Sequence, residues 1–183
     1  MIQQAIIGND IVDWQTAQNQ KHKLRWRSLQ KLFSGFEIDY IETEPNSILA
    51  FWHLWSAKET AYKAWQRQFQ SNPVFNPRAF KCINIDAENI QVEIADNIYN
   101  IKSIMSKHYI YSHINSSCLE SKIFLSQEDY CDFTSEIEKL GWLIVKDKNN
   151  IPSLSHEKYN SSPISISHDS QFVALVFIKN LFG

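Results

Sequence analysis

The sequence predicts an α+β protein in which an antiparallel sheet packs against one long central helix. Three observations carry this. A helical pattern runs from about Asn46 to Phe69; short apolar and β-branched runs separated by Asp and Asn fill Ala79 to about Ile114; and 183 residues with 44% hydrophobic content suit one domain, residues 1–183, with a real core. Four glycines and five prolines against six tryptophans and eleven phenylalanines indicate compact, aromatic-rich packing with few sharp turns.

Taken in order, Ala5 to Asp13 reads as a buried strand interrupted by Gly8, which allows close backbone approach beside Asp10. Asp10 is flanked by apolar residues, where an unpaired carboxylate calls for a metal or a basic partner. Asp13 precedes Trp14-Gln15-Thr16-Ala17 and is placed to cap a helix. From Lys21 to Phe33 the pattern is an amphipathic helix with a cationic wet face: Lys21, Lys23, Arg25, Arg27 and Lys31 stand between Asp13 and Glu37 with no acid among them. Solvated charge and docking of an acidic partner are the two readings of that face.

The central helix follows. Ala50, Leu54, Ala57, Ala61 and Ala64 stack into a stripe of small residues that lets it sit close to a neighbour, while Trp52, Trp55, Tyr62 and Trp65 form a bulky second band. Lys58, Glu59 and Lys63 lie in its middle, with Glu59 and Lys63 one turn apart and able to meet the same ligand. A surface Glu-to-Lys pair is the bland alternative. Phe80–Ile85, Ile90–Ile94, Ile98–Ile104 and Tyr109–Ile114 read as strands of an antiparallel meander with a turn at Asp96-Asn97. His108 and His113 fall on opposite faces and suit structural roles. Gln127 to Lys146 is a second helix with Gly141 as an interruption, and Ile164–Asp169 and Phe172–Ile178 are the last strands. Ser167 and His168, at a strand end, supply hydrogen-bond donors suited to phosphate oxygens.

The formal net charge of -2 excludes a global electrostatic footprint for nucleic acid. Cys82, Cys118 and Cys131 have no paired spacing, so free thiols are expected rather than disulfides or a zinc site. Met1-Ile2-Gln3-Gln4 lacks a basic leader and no segment has the length to span a bilayer, so the expected location is cytoplasmic, with no membrane partner.

Three pieces stand in a particular order: Gly8-Asn9-Asp10, then Trp55-Ser56-Ala57-Lys58-Glu59-Thr60-Ala61-Tyr62-Lys63, then Ser165-Ile166-Ser167-His168. Together they resemble the 4′-phosphopantetheinyl transferase superfamily. In its large two-lobed type the Ser-His element comes first and a glutamate stands two positions after the aspartate. Here Ser-His comes last and that position is Val12, which matches the small holo-acyl-carrier-protein synthase type, a single α+β lobe that commonly trimerises. The chain is longer than those synthases, with the excess expected as an extended region at about 70–148. Of the superfamily's Gly-Lys-Pro turn only Pro152 survives, and Trp65-Gln66-Arg67-Gln68 replaces a glycine-rich turn.

The resemblance implies transfer of the 4′-phosphopantetheine arm of coenzyme A to a serine of an apo acyl or peptidyl carrier protein, with release of 3′,5′-ADP. It implies Mg²⁺ held by Asp10 and Glu59, with Asp13 ranked below them as a further carboxylate. Glu59, or a metal-bound water beside it, would take the serine proton, and Lys63 would neutralise the leaving phosphate. Lys58, Ser167 and His168 would hold coenzyme A phosphates, and Arg25 and Arg27 would meet the carrier's acidic helix. Two rivals remain: a non-catalytic homologue that binds carrier proteins, and a Mg²⁺-dependent nuclease, against which the helical placement of the Glu/Lys pair argues.

Overall fold

The computed structural model describes residues 6–182; Ala5, the first residue of the expected opening strand, and Met1–Gln4 lie outside the described residues. The chain begins with β1 (Asn9–Asp13), α1 (Trp14–Ala17), a 3₁₀ turn at Lys21–Leu24, α2 (Trp26–Leu32), α3 (Gly35–Thr43) and α4 (Ser47–Phe69). After a further 3₁₀ turn at Pro77–Ala79 come β2 (Lys81–Ile85), β3 (Asn89–Ile94), β4 (Asn97–Met105) and β5 (Tyr109–Ile114). These four strands form the expected antiparallel meander, and β1 pairs antiparallel with β5 to give a sheet ordered β1-β5-β4-β3-β2.

Helix α4 spans 23 residues, as the apolar pattern predicts. The Asn46 side chain accepts from the Leu49 N–H at its start, and Gln70 ends it in the left-handed region at φ 50. The small-residue stripe is buried: Leu54, Ala57, Ala61 and Ala64 have no exposed surface, and they join Ile7, Val92, Tyr99 and Ile101 in the main core. Small side chains leave the backbone of the helix close to the sheet, which decides the position of every group on its flanks.

The basic stretch is not one helix. Arg25 is extended (φ -64, ψ 133), and its carbonyl accepts from the Ser28 and Leu29 N–H groups to start α2. The break has a geometric reason. Leu24 and Leu29 both pack into the main core, yet five residues in an unbroken helix would turn them about 140° apart. Helix α3 went unpredicted, although Ser34 and Glu37 form a reciprocal capping box that marks its start.

The second half contains β6 (Leu119–Phe124), α5 (Gln127–Lys139), β7 (Trp142–Lys146), β8 (Pro152–His156), β9 (Ser162–Asp169) and β10 (Phe172–Ile178). The helix expected to reach Lys146 stops at Lys139, because Gly141 takes φ +88 and Trp142–Lys146 pairs with β8. These strands make a second antiparallel sheet, β6-β10-β9-β8-β7, where the sequence reading contained one. Residues 70–148, expected as an extended region, supply β2 to β7 and α5 and so belong to both sheets. The second core is separate and gathers Phe124, Phe133, Ile137, Trp142, Leu154 and Leu175. The two sheets meet where β1 lies against β9 and β10. The three cysteines are free, and among the described residues no helix is long and apolar enough to cross a membrane.

Candidate active site

Gly8 sets the geometry. A Cβ there would overlap the Thr60 carbonyl oxygen and stand 2.9 Å from the Ala64 nitrogen, so only glycine lets the start of β1 rest on the backbone of α4. Two residues later Asp10 faces the flank of that helix. Lys63 Nζ lies 3.3 Å from Asp10 Oδ1 and donates to the Asn9 carbonyl at 2.9 Å. Glu59, one helical turn back, completes a cluster of two carboxylates and one ammonium drawn from sites some fifty residues apart in the chain.

The electrostatics are those of an excess of buried negative charge. Burial pushes the Glu59 carboxyl up to about 7, the Asp10 charge pushes in the same direction, and Lys63 opposes both. Asp10 is raised too, first by burial and in small part by Asp169, against the lowering effect of Lys63 and the nearby Ser56 hydroxyl. On another face of α4, burial pushes His53 down to about 4, partly offset by Asp86. Both Glu59 and His53 therefore favour their neutral forms, for the same reason of lost solvation.

Lys58 is not brought to this cluster, contrary to expectation. It is fully buried, and its ammonium donates to the Leu32 carbonyl at 3.0 Å, the Pro77 carbonyl at 3.0 Å and Glu37 Oε2 at 2.9 Å. Three protons meet three acceptors, so no donor is left for a coenzyme A phosphate. Glu37 is held in turn by the N–H groups of Cys82 and Ser34. Lys58 thus ties α4 to α3 and to the turn before β2.

Asp13 serves as the cap of α1. Its Oδ1 accepts from the Thr16 N–H at 3.3 Å and its Oδ2 from the Thr16 hydroxyl at 2.9 Å. Burial would raise its pKa, but hydrogen bonds from Ser170 and Thr16 outweigh it and hold the carboxyl below its usual range. Both oxygens are engaged, which removes Asp13 from the group that faces Glu59.

The strand carrying Ser167 and His168 does reach β1. Since among the described residues β1 pairs only with β5, its outer edge needs other partners. The odd-numbered side chains of β9 provide them: Ser165 Oγ accepts from the Asn9 N–H at 3.2 Å, Ser167 Oγ from Asn9 Nδ2 at 3.1 Å, and Asp169 Oδ2 from the Asp13 N–H at 2.9 Å. Ser167 is therefore buried in the seam between the sheets instead of facing a ligand. Alternation turns His168 to the opposite face of β9, where its ring is exposed. Arg25 and Arg27 are exposed beside Trp26, itself 55% exposed.

This basic segment borders the cluster through α4. Trp52, Trp55, Glu59 and Lys63 follow one another at helical spacing on a half-buried face. At its N-terminal end Lys23 Nζ sits 6.0 Å from the Trp52 ring centre, and Trp52 Nε1 donates to the Ala17 carbonyl. At its other end the residues that replace a glycine-rich turn continue the helix and grip the second half: Gln66 Nε2 donates to the Asn149 carbonyl at 3.2 Å, and the Arg67 guanidinium donates to the carbonyls of Pro152 and Ile164. Sequence reading missed Asn9, Arg67 and Asp169. A polar residue inside an otherwise apolar strand was the available signal for Asn9.

The donor set fits a small hard cation. Two carboxylates are pressed toward neutrality with a single ammonium between them, and a divalent ion would relieve both. No group of three or more His, Cys, Asp and Glu side chains is arranged for a metal among the described residues. The protein would thus supply two oxygens and leave the remaining positions to water and phosphate, as suits Mg²⁺.

No curated protein and no solved structure matches the chain. A family model does, over residues 6–125, from before Gly8 through the end of β6: that of the 4′-phosphopantetheinyl transferase superfamily. The matched span contains β1, α4 and the whole Asp10, Glu59 and Lys63 cluster. On this match, with Gly8 pressing the Asp10 strand against the helix of Glu59 and Lys63, the chain belongs to the 4′-phosphopantetheinyl transferase superfamily.

Proposed function

We propose that this chain transfers the 4′-phosphopantetheine arm of coenzyme A to a serine of an apo acyl or peptidyl carrier protein, with Mg²⁺ required and 3′,5′-ADP released, in the manner of a holo-acyl-carrier-protein synthase. The convergence of Asp10, Glu59 and Lys63 carries the reading. Asp10 and Glu59 would hold the ion. When bound, Mg²⁺ supplies charge screening around the pyrophosphate and draws electron density from the attacked phosphorus.

The residues of the chain do the rest. Glu59, raised to about 7, is basic enough near neutral pH to take the proton of the carrier serine hydroxyl. The serine oxygen forms its bond to the β-phosphorus of coenzyme A as the bond from that phosphorus to the bridging oxygen breaks. The electron pair leaves on 3′,5′-ADP. Lys63, about a quarter of its side chain exposed, is placed to neutralise that developing charge. His168 faces solvent and is free to meet a coenzyme A phosphate, whereas Lys58 is omitted from that role. Arg25 and Arg27 are exposed just beyond Lys23, which stands at Trp52, and would steer an acidic carrier helix toward the Trp52-to-Lys63 face. The homotrimer of the synthase type remains a proposal about assembly; in this chain β9 reaches β1 without a second copy.

Intact-mass spectrometry of apo carrier proteins incubated with the protein, coenzyme A and Mg²⁺ tests the reading. A phosphopantetheine mass increment, lost with EDTA and in Asp10→Ala and Glu59→Gln, is expected. Full transfer by either variant would remove the metal assignment. Absence of the increment on every carrier, together with no binding of coenzyme A, would favour the non-catalytic carrier-binding homologue.

A further inference from the structure

The edge strands of the two sheets are β1 and β2 on the first and β6 and β7 on the second. An open edge is a row of unpaired N–H and C=O groups, and three of these edges are blunted in identifiable ways. On β1, Ser165 Oγ and Asp169 Oδ2 accept from the Asn9 and Asp13 N–H groups. On β2 the register shifts between Cys82 and Asn84, and Glu37 Oε1 accepts from the Cys82 N–H. On β6, Glu120, Ser121 and Lys122 are exposed and polar. Among the described residues β7 has no such cover. It reads Trp142-Leu143-Ile144-Val145-Lys146, charged only at its end, and pairs with β8 in unbroken register. Leu143 is 54% exposed and Val145 41%. The Asp147 N–H donates to the Ile151 carbonyl in the turn to β8. Alternation then points the N–H and C=O groups of Leu143 and Val145 at β8, and those of Trp142, Ile144 and Lys146 outward.

We propose that β7 is a self-association edge: two copies of the chain pair their β7 strands antiparallel about a two-fold axis at Ile144, which joins their second sheets into one. The symmetry of the strand selects a second copy as the occupant. With Ile144 opposite its own counterpart, Trp142 falls opposite Lys146, so every outward residue exchanges both its hydrogen bonds with an outward residue across the axis. Leu143 falls opposite the other copy's Val145, and the reverse, which covers the exposed apolar face. Charge agrees with the antiparallel direction. Lys146 and Lys148 stand at the C-terminal end of β7, where the Asp147 carboxylate is turned onto the Asn149 and Ile151 N–H groups. Helix α5 ends just before the other end of the strand, and there the exposed Glu136 and Glu138, with the negative end of the helix, outweigh Lys139. The two-fold axis brings the basic end of each copy to the acidic end of the other. A parallel pairing would bring like to like. The inference does not rest on the transferase reading, and the two-fold pairing closes at two copies, unlike a homotrimer.

Sedimentation equilibrium of the full chain over a concentration series, at two ionic strengths, tests the proposal together with hydrogen exchange read at single amides. The wild type should show a monomer–dimer equilibrium that weakens with added salt. Val145→Lys changes an exposed side chain and leaves the ladder to β8, and should raise the dissociation constant at least about tenfold. Lys146→Glu should do so by a similar factor at low salt. In the dimer the Ile144 and Lys146 amides should be protected, and they should exchange fast in Val145→Lys. The amides at 143 and 145, bonded to β8, should stay protected in both, which separates a lost interface from a lost fold. If Val145→Lys does not fold, Lys146→Pro, which removes an outward donor the fold does not use, takes its place. A trimer, association unchanged by the variants, or fast exchange at Ile144 and Lys146 in an associated wild type would each overturn the proposal. So would a wild type that is monomeric throughout, which would leave the edge to a strand of another protein.

Discussion

The two five-stranded sheets share one strand order, with the first strand paired to the last and the others following in reverse, yet the cluster of Asp10, Glu59 and Lys63 lies against the first. The difference lies in what covers them. Helix α4 presents alanines to the first sheet and lies so close that Gly8 meets its backbone; charged groups on its flanks are buried with it. Helix α5 presents Phe133 and Ile137 to the second sheet and leaves most of its charged residues in water. Each half also has a lysine near a phenylalanine ring. Lys58 Nζ stands 4.7 Å from the Phe33 centre in full burial, and Lys122 Nζ 4.3 Å from the Phe133 centre at the surface. Topology repeats while solvation differs, and solvation determines which ionisable groups can do chemistry.

Replacement of these two lysines should separate the halves most sharply. Lys58→Ala leaves the Glu37 carboxylate buried without its ion partner and should cost about 3–5 kcal/mol. Lys122→Ala should cost about 1 kcal/mol or less. Denaturant unfolding of the two variants gives both numbers, and equal losses would break the comparison. Lys63→Ala, five residues beyond Lys58, removes a cation whose side chain is 26% exposed and should cost less stability than Lys58→Ala, but should lower kcat more than it raises KM, as expected of a group that acts on the leaving phosphate.

Glycine substitution comes next in size. Gly8→Ala places a methyl group against the Thr60 carbonyl and should destabilise by about 3 kcal/mol. Gly35→Ala, where nothing lies within 4 Å, is the control and should be neutral or slightly stabilising. Thermal melts of the pair measure how closely β1 rests on α4.

The pH dependence of the metal-free protein isolates Glu59. Its folded pKa of about 7 lies above the ordinary 4.5, so the folded state holds this proton more tightly than the unfolded chain. The wild type should therefore lose stability relative to Glu59→Gln as pH rises from about 4.5 to 7, with the difference complete above that window. Melting curves in EDTA across this range, repeated with Mg²⁺, should show the ion restoring most stability at the high end. A flat difference would mean that Glu59 is better solvated than its neighbours imply.

The smallest effect belongs to the surface. Charge reversal at Arg25 and Arg27 should weaken carrier binding in a manner that fades with added salt, and should leave coenzyme A affinity unchanged. Surface plasmon resonance at two ionic strengths distinguishes this from a lost packing contact.

The alanine stripe, the span of the long helix and the alternating runs of β2 to β5 were legible because each follows from local periodicity. So was the grouping of Asp10, Glu59 and Lys63, read from three motifs whose order resembles that of a known family and brought together in the structure by β1 and α4. The role of Lys58 was not legible, since a lysine one residue before Glu59 has the same local signature whether it points to solvent or to Glu37, and those acceptors come from α3 and the turn at Pro77. The second sheet was hidden for a similar reason: β8 buries essentially one apolar side chain, Leu154, and takes its strand character from β7 and β9 on either side. By itself the sequence determined the helix, the meander and the grouping of Asp10, Glu59 and Lys63. Only the tertiary structure decided which charges are solvated and which strands meet, because burial and edge pairing depend on groups far apart in the chain that no local pattern records.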